Sequence, residues 1–270
     1  MKISVIIPTY KPQEYLWECL DSLVAQTLPK EDFEIIVVLN GCKEPYYQQI
    51  WQYINNHPEM NWRYLQIDKG GVSNARNRAL DVAKGDYVTF IDDDDYVSDN
   101  YLQSLYEKAK DDLIVIACPY AFEDGSTKEV DYRVTEEYRR LATQGVQHSS
   151  KARKFFSGPC MKLIPMSFIQ GRRFNPSFKV GEDSLFMFSI SNKFKDVAFA
   201  DDTVRYYRRY RPNSAITIKK SPWFLIHNAM RMIWEYFKLY FGHFGKYSLE
   251  RFLFGILGAI KGAIVNMKIR

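Results

Sequence analysis

The chain offers no cysteine pairing to build on. Cys19, Cys42, Cys118 and Cys160 form no CxxC and no matched spacing, which argues against a disulfide scaffold and for a reducing compartment. Cys19 and Cys118 lie inside apolar runs, where a thiol acts as a small hydrophobe. Long hydrophobic runs are missing too. The apolar stretch at residues 3–7 is too short for a signal peptide and reads as a first strand, so a cytoplasmic protein is expected. The run over residues 252–260 stops at Lys261, short of a bilayer span. There is no internal repeat and no low-complexity tract. No Gly-rich phosphate loop is present either, because Gly70-Gly71 lacks the glycine spacing and the Lys-Ser/Thr ending. What is left is 270 residues, 46% apolar and 26% charged, enough to bury a full core.

Strand and helix patterns alternate through the first half. Residues 3–7 form a strand stopped by Pro8, followed by a helix with Tyr15, Leu16, Cys19, Leu20 and Leu23 on one face. Residues 34–39 form a second buried strand ending at the turn signal Asn40-Gly41. A helix over about 45–55 leads to a strand at 62–67, and Gly70-Gly71 opens a helix with Ala75, Ala79, Leu80 and Ala83 inward. A strand at 87–91, a helix over about 100–109 and a strand at 113–118 follow. Near-continuous apolar strands alternating with helices predict an α/β fold, a mostly parallel sheet covered on both faces. Residues 123–147 are polar and punctuated by glycine, and read as a surface excursion.

The chemistry concentrates at Asp92, Asp93, Asp94 and Asp95, directly after the apolar run Tyr87-Val88-Thr89-Phe90-Ile91. Like charges crowded at the carboxyl end of a strand are costly unless a cation neutralises them. That end is also where open α/β sheets bind ligands. A divalent Mg²⁺ or Mn²⁺ shared with a phosphate-bearing substrate accounts for both facts. The alternative is a solvated acidic turn. Pro8-Thr9-Tyr10, Asn40-Gly41 and Gly70-Gly71 fall at strand ends or helix starts that face the same crevice. A second acidic site, Gly181-Glu182-Asp183-Ser184, opens an apolar helix. Asp183 there is either a helix cap or a general base.

These residues carry a resemblance. Ser4-Val5-Ile6-Ile7-Pro8-Thr9-Tyr10, then Tyr15-Leu16 with Cys19-Leu20-Asp21-Ser22-Leu23 and Gln26-Thr27, resemble the start of family 2 glycosyltransferases. Gly71-Val72-Ser73-Asn74-Ala75-Arg76-Asn77 and the segment from Gly85 to Asp95 are similar to the next two signatures. Lys162-Leu163, Arg173-Phe174, Gly181-Glu182-Asp183 with Phe186, and Tyr207 with Tyr210-Arg211 and Ser214 resemble the later part. The match runs in order over roughly the first 215 residues.

The resemblance implies a GT-A fold and inverting transfer of a sugar from a nucleotide-sugar donor. It implies a nucleoside pocket lined by Pro8, Thr9 and Tyr10, with Gly71 at the donor site. Asp94 becomes the direct metal ligand, Asp92 its companion, and Asp93 lies against the donor ribose or sugar. Asp183 becomes the catalytic base. Arg76 is either a donor-site residue or half of a helix-surface salt bridge. Where the family usually has Asp-Asp-Gly-Ser, this chain has Leu39-Asn40-Gly41-Cys42. Asn40 keeps a carbonyl acceptor for uracil N3–H but loses the charge. A UDP-sugar is therefore the first expectation, with TDP- and GDP-sugars open.

The expected layout is a catalytic domain over 1–218, with a donor half (1–120) and an acceptor half (121–218), and a helical tail over 219–270. Nine Lys/Arg meet only Glu235 and Glu250 in that tail, whereas the whole chain is +5, so the rest is slightly acidic. Ile226, Met230, Ile233, Trp234, Phe237 and Phe241 share one helical face, with Trp223 and Phe224 at its start. Leu249, Leu253, Ile256, Leu257, Ile260 and Ile264 mark a second helix. Basic amphipathic helices of this kind suit peripheral contact with an anionic inner membrane surface; the alternative is packing on the catalytic domain. A glycan or lipid-linked acceptor in cell-surface polysaccharide assembly fits the membrane reading. Nucleic acid is not an expected partner, since the positive charge is confined to the tail. Two other classes stay open: a non-catalytic nucleotide-sugar binding protein on the same fold, and a sugar nucleotidyltransferase. The latter needs a basic Gly-rich loop that residues 2–13 do not supply.

Overall fold

A computed structural model describes residues 1–211 and 220–268. Ser214 of the last motif, the expected domain boundary at 218 and the tail residues Lys219 and Arg270 lie outside the described residues. In chain order the elements are β1 (Ile3–Thr9), α1 (Tyr15–Val24), β2 (Phe33–Asn40), α2 (Tyr46–Asn56), β3 (Trp62–Ile67), α3 (Val72–Leu80) and β4 (Tyr87–Phe90). Next come β5 (Tyr96–Val97), α4 (Tyr101–Glu107), β6 (Leu113–Ile116), β7 (Cys118–Glu123), α5 (Arg133–Ala142) and β8 (Gln147–His148). Then follow β9 (Lys162–Pro165), α6 (Met166–Ile169), α7 (Glu182–Ile190), β10 (Asp196–Phe199), β11 (Arg205–Tyr210), α8 (Pro222–Gly242) and α9 (Leu249–Lys268).

The main sheet has the order β3-β2-β1-β4-β9-β6-β10-β8 and is mostly parallel, with β9 and β8 running against their neighbours. Strands from both sides of residue 120 share it. Alternate residues of each strand feed two cores. Ile3, Val5 and Ile7 pack with Leu16, Leu20 and Leu23 of α1 on one face. Ile6, Ile36 and Phe90 pack with Ala75 and Ala79 of α3 on the other. All these strand residues have no exposed surface, as expected for a sheet covered on both sides. A three-stranded sheet, β5-β11-β7, lies beyond the carboxylate end of β4.

Two sequence expectations need correction. Pro8 does not stop β1, which runs on to Thr9 with Pro8 opposite Val38. The carbonyl of Ile6 accepts from Ile91 N, so residues of that parity face β4. At Pro8 that side has no strand partner left, and a residue without an N–H is tolerated there. The excursion at 123–147 is not structureless either. It contains α5, which buries Thr135, Tyr138 and Leu141 and sends the Tyr138 hydroxyl to the carbonyl of Ala200.

The tail helices pack on the domain mainly through residues beside the face the sequence singled out, with Ile233 and Ile256 of that face packed against the same core. Met232 and Tyr236 of α8, with Phe252 and Ala259 of α9, form a third core with Leu185 and Phe188 of α7. Trp223, Met230, Trp234 and Phe241 stay exposed, as do Leu249, Leu253 and Leu257. Docking on the domain and an uncovered apolar face therefore coexist. No helix among the described residues is long and apolar enough to cross a membrane.

Candidate active site

The ends of β1, β2 and β4 meet in one crevice, clasped by short polar side chains. Thr9 Oγ1 donates to Asp93 Oδ2 at 2.5 Å, tying β1 to the aspartate run. Asn40 Nδ2 donates to the Thr9 carbonyl at 2.7 Å, and Asn40 Oδ1 accepts from Gly71 N at 2.8 Å. Asn40 is only 3% exposed. Its amide is engaged inside the protein as a clasp between β1, β2 and the turn before α3. Gly41, with φ +67°, lies back to back with Gly70; a Cβ on Gly41 would sit 2.8 Å from the Gly70 Cα. Pro8 is buried, while Tyr10 stands 53% exposed at the rim beside Gly41. Of the expected nucleoside-pocket residues, Tyr10 alone is exposed, with Lys11 Nζ 5.4 Å from its ring centre.

The four aspartates separate into distinct environments. Asp92 Oδ1 accepts from Arg76 Nη2 at 2.8 Å, and Asp94 Oδ2 accepts from Arg211 Nε and Nη2 at 2.8 and 2.6 Å. Asp95 is 5% exposed, and its carboxylate accepts from the Tyr206 hydroxyl and from Arg209 N. It is a structural link to β11. Burial pushes the Asp93 carboxyl up to about 7, against the Thr9 hydrogen bond and with help from Asp94 and Asp92. Burial, with Asp92 beside it, also raises Asp94, while Arg211 pulls it back down. Arginines thus supply part of the neutralisation that the sequence assigned to a metal alone.

A hard cation still fits. Among the described residues no three His, Cys, Asp or Glu side chains form a cage. However, a divalent ion serving a phosphate substrate commonly takes one or two carboxylates and fills its shell with phosphate oxygens and water. Asp92 and Asp94 retain 42% and 19% side-chain exposure. Burial, and then the neighbouring carboxylates, raise the Asp93 and Asp94 carboxyls above their ordinary range, so added positive charge there is favourable.

Asp183 sits in the first turn of α7, behind Gly181 at φ +88°. No side chain caps this helix, so the capping alternative is not what the fold uses. Instead Asp183 Oδ1 accepts from Arg76 Nη1 at 2.6 Å. Arg76 is 2% exposed, which rules out a surface salt bridge. Its one guanidinium joins Asp183 to Asp92, and its Nε has no partner. Burial raises the Asp183 carboxyl, while Arg76 draws it back down. Glu182 beside it is raised to about 7 by burial and by Asp183. The next residue of the motif, Asn77, clasps Phe174 in both directions at 2.8 Å, holding the segment that leads to α7.

Two site residues were not singled out as functional by the sequence. Arg211 belonged to a quoted motif, but nothing in its neighbourhood pointed to Asp94. Lys162 is 1% exposed and donates to the carbonyls of Gly158 and Cys160 at 2.9 and 2.8 Å. Gly158 faces Asp183 Oδ2. Burial lowers the Lys162 ammonium to about 8.

A mostly parallel sheet with carboxylates at its strand ends, joined to a second acidic helix start, is an α/β arrangement of the GT-A type, and comparisons with known proteins agree. The family model described as "Glycosyl transferase family 2" matches residues 4–171, and the chain belongs to that family. It is 30% identical over 236 residues to the poly(ribitol-phosphate) beta-glucosyltransferase of Bacillus spizizenii, covering 86% of this chain but 36% of that protein. Its fold matches residues 1–349 of S. aureus TarS in complex with UDP-GlcNAc, with a TM-score of 0.71 and 24% identity over 88% of this chain and 66% of that one. It also matches the mannosyltransferase PcManGT of Pyrobaculum calidifontis in complex with GDP-Man and Mn2+, with a TM-score of 0.63 and 16% identity over 98% of this chain and 74% of that one. The chain therefore spans about a third of the glucosyltransferase and about two thirds of the TarS fragment.

Proposed function

We propose that this chain is an inverting glycosyltransferase. It moves a sugar from a nucleotide-diphosphate sugar, a UDP-sugar in the first instance, to a hydroxyl of a glycan or lipid-linked acceptor in cell-surface polysaccharide assembly. The observation that carries the reading is the Arg76 bridge. It holds the α7 carboxylate and the β4 carboxylate on one buried guanidinium, so a base and a donor site share one crevice. Likeness to a protein in complex with UDP-GlcNAc and to a poly(ribitol-phosphate) glucosyltransferase supports the donor and acceptor classes.

Asp183 takes the proton from the acceptor hydroxyl as that oxygen attacks the anomeric carbon from the face opposite the nucleotide. Burial raises its carboxyl above the ordinary range, the direction a general base needs. Tyr10 offers its face to the nucleobase, Thr9 and Asp93 line the ribose or sugar side, and Gly71 and Arg76 complete the donor wall. Asp92 and Asp94 would hold Mn²⁺ or Mg²⁺, which when bound supplies positive charge for the departing diphosphate. Membrane contact belongs to the same reading. The exposed apolar residues of α8 and α9, interspersed with lysine and arginine, suit the surface of an anionic bilayer.

Calorimetric titration with UDP, GDP and TDP, each with and without Mn²⁺, tests the donor site. Binding of one nucleotide that needs metal and is lost in Asp94→Ala is expected; no binding of any of the three would sink the reading. Flotation with phosphatidylglycerol vesicles tests the tail. Complete retention in the unbound fraction would remove the membrane part alone.

A further inference from the structure

A cavity of about 570 Å³ lies between α7, the 149–157 segment and the two tail helices. Its volume is that of a small-molecule pocket. Met187, Phe194, Leu225 and Phe254 are among its apolar walls. It reaches Gly181 and Ser184, the residues on either side of Glu182 and Asp183. Ser184 Oγ donates to the Ser157 carbonyl at 3.1 Å, so the base-bearing helix and the 149–157 segment form one continuous wall.

The charges in this wall are one-sided. Arg153, Lys154, Arg251 and Lys261 line the cavity, against the single carboxylate of Glu250. Lys154 is matched by Glu137 at 2.7 Å. The hydrogen bonds of Arg251 all go to neutral groups, the carbonyls of Ser191 and Phe194 and the hydroxyl of Ser149, with Glu250 as its nearby carboxylate. Arg153 lies over the Phe254 ring at 4.4 Å and forms no ion pair among the described residues. The part-buried Arg251, hydrogen-bonded only to neutral groups, and the exposed Arg153, beside an apolar chamber, favour an anion carried on an apolar chain.

We infer that this chamber binds the lipid end of the acceptor: a long-chain lipid phosphate, its chain between α7 and α9 and its phosphate on the arginines, with the sugar it carries presented to Asp183. The inference rests on the glycosyltransferase reading but concerns a different surface from the donor site. It gives the tail a catalytic purpose beyond membrane contact, since α8 and α9 complete the acceptor site.

Gly262 provides a clean test. It lines the cavity on the same helical face as Arg251 and Gly255, and a Cβ there would meet nothing within 4 Å. Replacing a helical glycine also favours the helix, so Gly262→Phe places a ring in the chamber from a position whose Cβ has room. The probes are farnesyl diphosphate, farnesol and inorganic diphosphate, titrated into the full chain in EDTA so that a metal-dependent donor site is silent. Farnesyl diphosphate is expected to bind about tenfold or more tighter than either part alone. That affinity should drop by about tenfold or more in Gly262→Phe and in Arg153→Glu. UDP affinity with Mn²⁺, measured in parallel, should be the same in both variants as in wild type.

Equal binding of farnesol would leave a generic apolar groove, and equal binding of inorganic diphosphate a plain anion site; either overturns the inference. So does undiminished binding in Gly262→Phe, or a concentration-dependent dimer abolished by that variant, which would make a second copy the occupant. Loss of UDP binding in wild type with farnesyl diphosphate binding intact would instead count against the donor reading alone.

Discussion

Arg76 donates to Asp183 at 2.6 Å across 107 residues of chain, from one face of α3 to the first turn of α7. The arginine is almost wholly buried, whereas the aspartate keeps 30% of its side-chain surface open. Arg76 also reaches Asp92, so loss of one carboxylate leaves its charge still paired. The aspartate can therefore be altered without stranding a buried cation, a loss that would be strongly destabilising.

On that basis Asp183→Asn should fold normally and bind UDP as wild type does. Its turnover should drop by about 10²–10⁴, the range for loss of a general base. Steady-state kinetics beside nucleotide titration separates the two effects. Wild-type turnover in this variant would remove Asp183 from the chemistry.

Asn40 makes a different prediction. A carboxylate in its place can accept from Gly71 N but cannot donate to the Thr9 carbonyl, and the site is 3% exposed. Asn40→Asp should therefore cost on the order of 1–3 kcal/mol by urea denaturation, as for a buried acceptor left unsatisfied. Unchanged stability would mean that the clasp is dispensable and that Asn40 is free to read a base.

Lys162 carries a pH signature. Burial lowers its ammonium from 10.5 to about 8, partly offset by Cys160 and Asp183. Below pH 8 it is charged in both states, and the full desolvation cost is present. Between about pH 8 and 10.5 the unfolded chain holds this proton more than the folded one does, so stability rises with pH across that window. The stability of wild type relative to Lys162→Met should rise by on the order of 2 kcal/mol from about pH 8 to pH 10. Denaturation of both proteins at each pH cancels the titration of groups that do not interact with Lys162. A flat difference would place the Lys162 pKa at its ordinary value.

Gly181 couples the base-bearing helix to the tail. Its φ of +88° disfavours a side chain, and a Cβ would lie 2.3 Å from Met232 Sδ and Cε on α8. Gly181→Ala should lose about 1–2 kcal/mol from backbone strain, with a further steric cost as the end of Met232 shifts. Adding Met232→Ala should recover the steric part, giving a favourable coupling energy in a double-mutant cycle. Strict additivity would show that α8 does not press on this turn.

The parts of the fold legible in the sequence were those with a local signal. Periodicity placed the α/β alternation from β1 to β6, because side chains on a buried strand or a two-faced helix must repeat with the geometry of the element. Asp92 to Asp95 and Asp183 stood out as acids where acids are costly or dipole-favoured. Where signals were weak or mixed, expectation failed. Charged α5 read as loop because its buried stripe is narrow: Thr135, Tyr138 and Leu141 among glutamates and arginines. The tail's most apolar residues looked like its packing face, yet much of the contact comes from neighbouring ones such as Ala229, Met232 and Tyr236.

The sequence by itself determined which residue types were available: acids after β4, acids opening α7, a basic aromatic tail. Tertiary structure alone decided which of them act together. It turned Asn40 inward, separated Asp95 from its three neighbours, and set Arg76 between carboxylates from distant segments. Local pattern reports whether a residue is buried and on which element. Pairing across the sheet, and the charge balance that follows from it, is fixed only when separate elements pack and water is excluded between them.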